Sequence, residues 1–187
     1  MLTDPTRRQW IFGTVASTAL AAIAQAQEHA HHAVRTPSGV AFEFFDAAAA
    51  ADVAALAAQI LPSDDGPGAT EAGVVYFIDY ALHTFDAGKQ KQYLHGLAKI
   101  RDVRQKMFPQ SESIASLSTD QQIQLLRGVD HLEFFDVLRQ HTVLGFLGSP
   151  AYHGNRNKVG WTYIGFDDRM AFLPPFGYYD SPAAEQK

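Results

Sequence analysis

Thr70-Glu71-Ala72-Gly73-Val74-Val75-Tyr76-Phe77-Ile78-Asp79-Tyr80-Ala81-Leu82-His83-Thr84-Phe85 is the stretch on which the fold turns. Val74, Phe77, Ile78, Ala81, Leu82 and Phe85 recur at three- and four-residue spacing. That period belongs to an amphipathic α-helix, because a half-buried strand alternates every second residue. The spacing predicts a helix over 70–85, with Glu71 in its first turn, where the helix dipole favours negative charge.

The pattern repeats on both sides. Upstream, Asp46 precedes a run of alanines with Val53, Leu56 and Ile60, which reads as an N-capped helix ending before Pro62. The connection Pro62-Ser63-Asp64-Asp65-Gly66-Pro67-Gly68 is turn chemistry, so its paired carboxylates need no catalytic explanation. Downstream, Tyr93, Leu97, Ile100, Val103 and Met107 mark a helix over 90–108 that Pro109 stops. Ser118 and Gln121 form a capping-box signature before Ile123, Leu125 and Leu126. Gly128 and Asp130 break the chain before a last helix over 133–147, carrying Phe134, Val137, Leu138, His141, Leu144 and Phe146. The expected fold is all-α, a small irregular helical domain of about five helices over 46–147. Lys89, Lys91, Lys99, Arg101, Arg104 and Lys106 gather on the third helix and read as a solvated face, or as a surface for an acidic partner.

From Gly148 the character changes. Glycines and prolines interrupt any long helix over 148–187, while Tyr152, Trp161, Tyr163, Phe166, Phe172, Phe176, Tyr178 and Tyr179 supply rings. This predicts a long, irregular, aromatic-rich C-terminal arm, part of which closes over the helices. Aromatic residues and arginine dominate binding hot spots, so the rest is a candidate partner surface.

Composition fits one domain: 187 residues, 47% hydrophobic and no cysteine. A chain of that length buries enough surface to fold without disulfides or a structural metal. A net charge of -5 without a basic run gives no electrostatic reason to bind nucleic acid.

The N-terminus reads as an address. After Arg7 and Arg8, no charge occurs until Glu28, and the intervening apolar stretch is diluted by Gly13, Thr14, Ser17 and Thr18. Ala24-Gln25-Ala26 supplies the small-x-small pattern of a signal-peptidase site. We expect a signal peptide over 1–26 and a mobile mature N-terminus over 27–45. The arginine pair resembles a twin-arginine export signal, which implies a bacterial route for proteins that are already folded.

No cofactor site accompanies that address. The lack of cysteine excludes iron–sulfur clusters on thiolates and Cys-x-x-Cys-His haem attachment. Gly66, Pro67, Gly68 and Gly73 resemble a dinucleotide loop only loosely, since Glu71 takes the third glycine's place. His29, His31 and His32 lie in the expected tail, where a metal site would lack support, and His83, His95, His131, His141 and His153 are scattered. An improvised site of His131 with Asp136 or His141 is the enzymatic alternative. A binding module without a flavoprotein partner is another.

Gly145-Phe146-Leu147-Gly148-Ser149-Pro150-Ala151-Tyr152-His153-Gly154-Asn155-Arg156 and Gly160-Trp161-Thr162-Tyr163-Ile164-Gly165-Phe166 resemble the gluconate 2-dehydrogenase subunit 3 family. The 62–68 turn, Ala72-Gly73-Val74 and Asp79 match it too, while His153 and Lys158 stand where glycine is more usual. The resemblance implies a non-catalytic small subunit without its own cofactor. FAD would lie in a large subunit of the glucose-methanol-choline type, and haem c in a membrane-bound cytochrome c subunit. It further implies escort of the flavoprotein through the twin-arginine translocase on the signal Arg7, Arg8, Ala24 and Ala26. The destination would be the periplasm, at the inner membrane through the complex, with Tyr152, Asn155, Arg156, Gly160, Trp161 and Phe166 gripping the partner.

Overall fold

A computed structural model describes residues 41–169. Six α-helices run through them, with no strand among the described residues: α1 (Ala47–Ile60), α2 (Val74–His83), α3 (Gln90–Met107), α4 (Thr119–Val129), α5 (Glu133–Leu147) and α6 (Val159–Tyr163). Three 3-10 turns join them, at Ala87–Lys89, Pro150–Tyr152 and Arg156–Lys158. The all-α expectation holds, with one short helix beyond the expected five.

The helix starts follow from their caps. Asp46 accepts the Ala49 amide at 2.7 Å, and Ser118 and Gln121 close a reciprocal capping box on α4. The α2 start is different. Residues 70–73 form turns, and the helix begins at Val74 behind Gly73, which is left-handed at φ 64°. Glu71 therefore lies outside the helix; its carboxylate accepts the Gly68 amide at 2.8 Å and the Ser63 hydroxyl, bracing the 62–68 turn. A local hydrogen bond has displaced the dipole role read from the sequence.

Helix α2 is the centre of the molecule. Val74, Val75, Tyr76, Phe77, Ile78, Asp79, Ala81 and Leu82 are all buried, so it is covered on nearly every side. Helix α5 packs closest, and α1 covers another face. Gly145 of α5 permits the approach, since a Cβ there would press on Phe77 and Val74 at 3.1 Å. Leu56, Tyr93, Ile100, Ile114, Leu125 and Leu138 complete the surrounding core.

Two buried carboxylates tie loops to this core. Asp52 of α1 takes the Arg101 guanidinium at 2.8 Å and the Ile114 and Ala115 amides at 2.9 and 3.2 Å. Asp79 of α2 accepts three successive amides, from Glu43, Phe44 and Phe45, at 2.7, 3.1 and 2.8 Å. Phe45 is buried, and Phe42 and Phe44 pack against the core. Residues 43–45, part of the segment expected to be mobile, are thus held to the core, where they keep Asp79 from being an uncompensated buried charge; residues 27–40 of that segment lie outside the described residues.

The basic face of α3 is also thinner than its sequence suggests. Arg101 is held by Asp52, and Arg104 is buried with bonds to Ser111 and Gln105. Among the described residues no helix is long and apolar enough to cross a membrane.

Asp79→Ala should lower unfolding stability by about 3 kcal/mol, since three amides lose a charged acceptor. Urea denaturation checks this, and amide exchange at 43–45 should quicken together with it. A loss below about 1 kcal/mol would mean that the segment is held by its rings alone.

Candidate functional site

Beyond Gly148 the chain is braced from within. The Asn155 side chain donates to the Gly148 carbonyl at 2.9 Å and accepts the Gly160 amide at 2.9 Å. Its backbone amide reaches the Gly145 carbonyl at 2.7 Å, and the Arg156 amide reaches Ala72 at 3.1 Å. Asn155 is wholly buried. Gly154 and Gly160 lie directly against the Gly145 and Phe146 carbonyls, where any Cβ would collide. The arm over 148–169 is therefore two 3-10 turns and a short helix fitted against α5 and α2, and its remaining residues, with Phe172, Phe176, Tyr178 and Tyr179, fall outside the described ones.

This fit demands an unusual backbone. His153, Asn155, Asn157 and Lys158 all have positive φ, at 70°, 43°, 54° and 58°. Asparagine and, to a lesser extent, histidine tolerate that region, and lysine is the most strained there.

The six expected partner contacts divide by burial. Asn155 and Gly160 are buried and act within the chain. Trp161 is half-buried and donates its indole N–H to the Leu147 carbonyl at 2.6 Å, with Phe166 edge-on at 5.0 Å. Arg156 lies over the Tyr76 ring at 3.7 Å, and Phe42 stacks on Tyr76 with centroids 4.9 Å apart. Tyr152 and Phe166 are exposed.

Two outward ring surfaces result. One joins Tyr152 and Phe85 at 5.6 Å, with Tyr80 beside both and His153 on Tyr80 at 4.5 Å. The other carries Tyr163, Ile164 and Phe166 at the end of α6. Phe85 and Tyr80 escaped the sequence reading of the site, which placed Phe85 on the apolar stripe of the helix over 70–85 and gave Tyr80 no role. Arg7, Arg8, Ala24 and Ala26 lie outside the described residues.

The enzymatic alternative is not assembled. His131 is exposed beside Asp130, and Asp136 faces Arg139. His141 is instead the buried centre of a polar chain: Nε2 is 3.0 Å from the Asp86 carboxylate and Nδ1 is 2.9 Å from the Tyr93 hydroxyl. Lys89 bonds Asp86 at 2.9 Å and lies 3.5 Å from His141 Nε2. The neutral ring satisfies both ends by accepting from Tyr93 and donating to Asp86. Burial holds the His141 pKa below its ordinary value, outweighing the Asp86 hydrogen bond, and the nearby Lys89 charge adds to the lowering. Burial pushes the Asp86 carboxyl up, but its bonds to Lys89 and His141 leave it below the ordinary range. Burial, with the Asp86 charge, drives the Tyr93 hydroxyl well above its ordinary value. All three shifts favour one fixed proton arrangement, which suits a structural link between the 84–89 turn, α3 and α5. Among the described residues, no group of three or more His, Asp or Glu is placed to hold a metal ion.

Fold and site together define a small all-α domain with an internally braced arm and outward aromatic surfaces. The chain belongs to the gluconate 2-dehydrogenase subunit 3 family, whose model matches residues 47–168, from the start of α1 to the end of the arm's braced part. No curated protein and no solved structure matches it.

Two outcomes are expected. The unfolded chain binds a proton at His141 before the folded one, so this group's contribution to stability is full above about pH 6.5 and is lost as pH falls below it. Thermal midpoints should decline from pH 7 toward 5, and His141→Gln should flatten that decline; an unchanged slope would contradict the role of the ring. Asn155→Ala should loosen the arm by about 2 kcal/mol, through two lost buried bonds. A red shift of tryptophan emission before global unfolding would report it.

Proposed function

We propose that the chain is a non-catalytic accessory subunit of an FAD-dependent sugar or alcohol dehydrogenase complex. It binds a flavoprotein large subunit of the glucose-methanol-choline type and escorts it, folded and loaded, through the twin-arginine translocase. FAD belongs to that partner, haem c to a membrane-bound cytochrome c subunit, and the complex works in the periplasm at the inner membrane. Family membership supports the place in a dehydrogenase complex. The observation that carries the binding role is the outward apolar surface: Phe85, Tyr152, Tyr163, Ile164 and Phe166 are 45–58% exposed. Their neighbours hold them in place, so little side-chain entropy is lost when a partner covers them. Aromatic groups of this kind concentrate binding energy. The arginine pair and the small-x-small site support export, because a folded-protein route on a cofactor-free chain suits a cofactor carried by the partner.

The chain, tagged at its C-terminus and purified from the periplasmic and membrane fractions of its host, should bring a roughly equimolar large chain with flavin absorbance. A colourless, solitary chain after mild extraction would overturn the reading. Replacing Arg7 and Arg8 together with lysine should leave both subunits and their flavin in the cytoplasm. Undiminished periplasmic dehydrogenase activity in that variant would remove the escort role while leaving the subunit role standing.

A further inference from the structure

Among the described residues Arg156 forms no salt bridge. Lys158 holds Asp168 at 2.8 Å, Arg101 holds Asp52 at 2.8 Å and Lys89 holds Asp86 at 2.9 Å, while Lys91, Lys99, Arg104, Lys106 and Arg127 form no salt bridge among the described residues either, so what sets Arg156 apart is how it is held. Among the described residues no carboxylate pairs with Arg156, although the chain carries 20 acidic residues. Arg156 is half-buried, and its guanidinium is held over the Tyr76 ring at 3.7 Å. Tyr76, itself 2% exposed, ends in a buried hydroxyl with no hydrogen-bond partner among the described residues. One stacked pair thus joins a cation without a carboxylate partner among the described residues to a buried tyrosine ring.

The surroundings keep that cation where it is. Arg156 sits between Asn155 and Asn157, both left-handed, with its backbone amide tied to Ala72. Gly73 leaves room for its stem, since a Cβ there would meet the Arg156 Cδ and Nε at 2.6 Å. A guanidinium stacked by its face keeps its N–H edges free, and those edges match a carboxylate through two parallel hydrogen bonds. Strained backbone of the kind found at Asn155 and Asn157 clusters at functional sites.

We propose that Arg156, stacked on Tyr76, is the anchor for a carboxylate side chain of the flavoprotein subunit. This rests on the reading given above and adds its chemistry: the partner presents an Asp or Glu at a site flanked by apolar surface. The ring surfaces supply area, and the ion pair fixes the register in which the two chains meet.

The test co-expresses the tagged full chain with the flavoprotein and measures flavin retained across a salt series from low to high NaCl. Wild type should retain flavin and release it progressively as salt rises. Arg156→Gln should weaken retention at least tenfold at low salt and flatten the salt response. Arg156→Lys keeps the charge without the planar fork and should fall between the two. Thermal midpoints of the free variants separate binding from folding, and Arg156→Lys remains informative if the glutamine variant melts early. Equal retention and an equal salt response in wild type and both variants would overturn the anchor while leaving the complex intact. So would a lowered midpoint with the salt response unchanged, because Arg156 would then serve the fold alone. A wild-type chain that retains no flavoprotein at any salt would bring down the subunit reading itself, and this inference with it.

Discussion

Everything in this molecule is arranged around a helix that must be covered on nearly every side. Eight of the ten residues of α2 are buried, so no single neighbouring helix suffices. Helices α1 and α5 take two faces, and the arm closes part of what remains, through Arg156 on Tyr76 and Gly154 against Phe77. Asp79 sharpens the constraint. A buried carboxylate needs donors, and three amides at 43–45 supply them, drawing the chain just before α1 into the core. The arm and the entering chain are thus parts of one packing problem. They meet where Phe42, Tyr76 and Arg156 stack.

The helices were legible because their signals are local. Three- and four-residue spacing, an Asp cap and a capping box each lie within a few residues, and α1, α3, α4 and α5 fall where those signals put them. The start of α2 misled because an acidic residue near a helix beginning has two uses. Glu71 bonds back to Gly68 and Ser63, and only the left-handed Gly73 decides where the helix opens. The candidate site was harder for the opposite reason. His141 shows in sequence as one polar residue on an apolar stripe, while its partners Asp86 and Tyr93 lie 55 and 48 residues away. No spacing rule connects them.

The arm was half legible. Its rings and glycines were visible, but their directions were not, because direction depends on backbone that sequence periodicity does not describe. Trp161 turned out to lock the arm to the end of α5, and Asn155 to hold it shut from within. Phe85 and Tyr80 proved to share a surface with Tyr152, although the sequence assigns them to another element.

The cost of the arm's geometry bears on what it is for. Four non-glycine residues between His153 and Lys158 occupy left-handed backbone, each at a penalty of about 1 kcal/mol or more. A segment serving only to cap the core could avoid this with glycine. Here the strain is offset by the Asn155 bonds and by burial of Gly154 and Gly160. In return, side chains stand where glycine would leave nothing: His153 rests on Tyr80 beside the Tyr152 surface, and Lys158 reaches Asp168 and the Trp161 ring. A strained turn that adds contacts to an exposed surface, while its asparagine secures the interior, gains something at that surface. Under the proposed role in a complex, that gain is specificity for the partner chain.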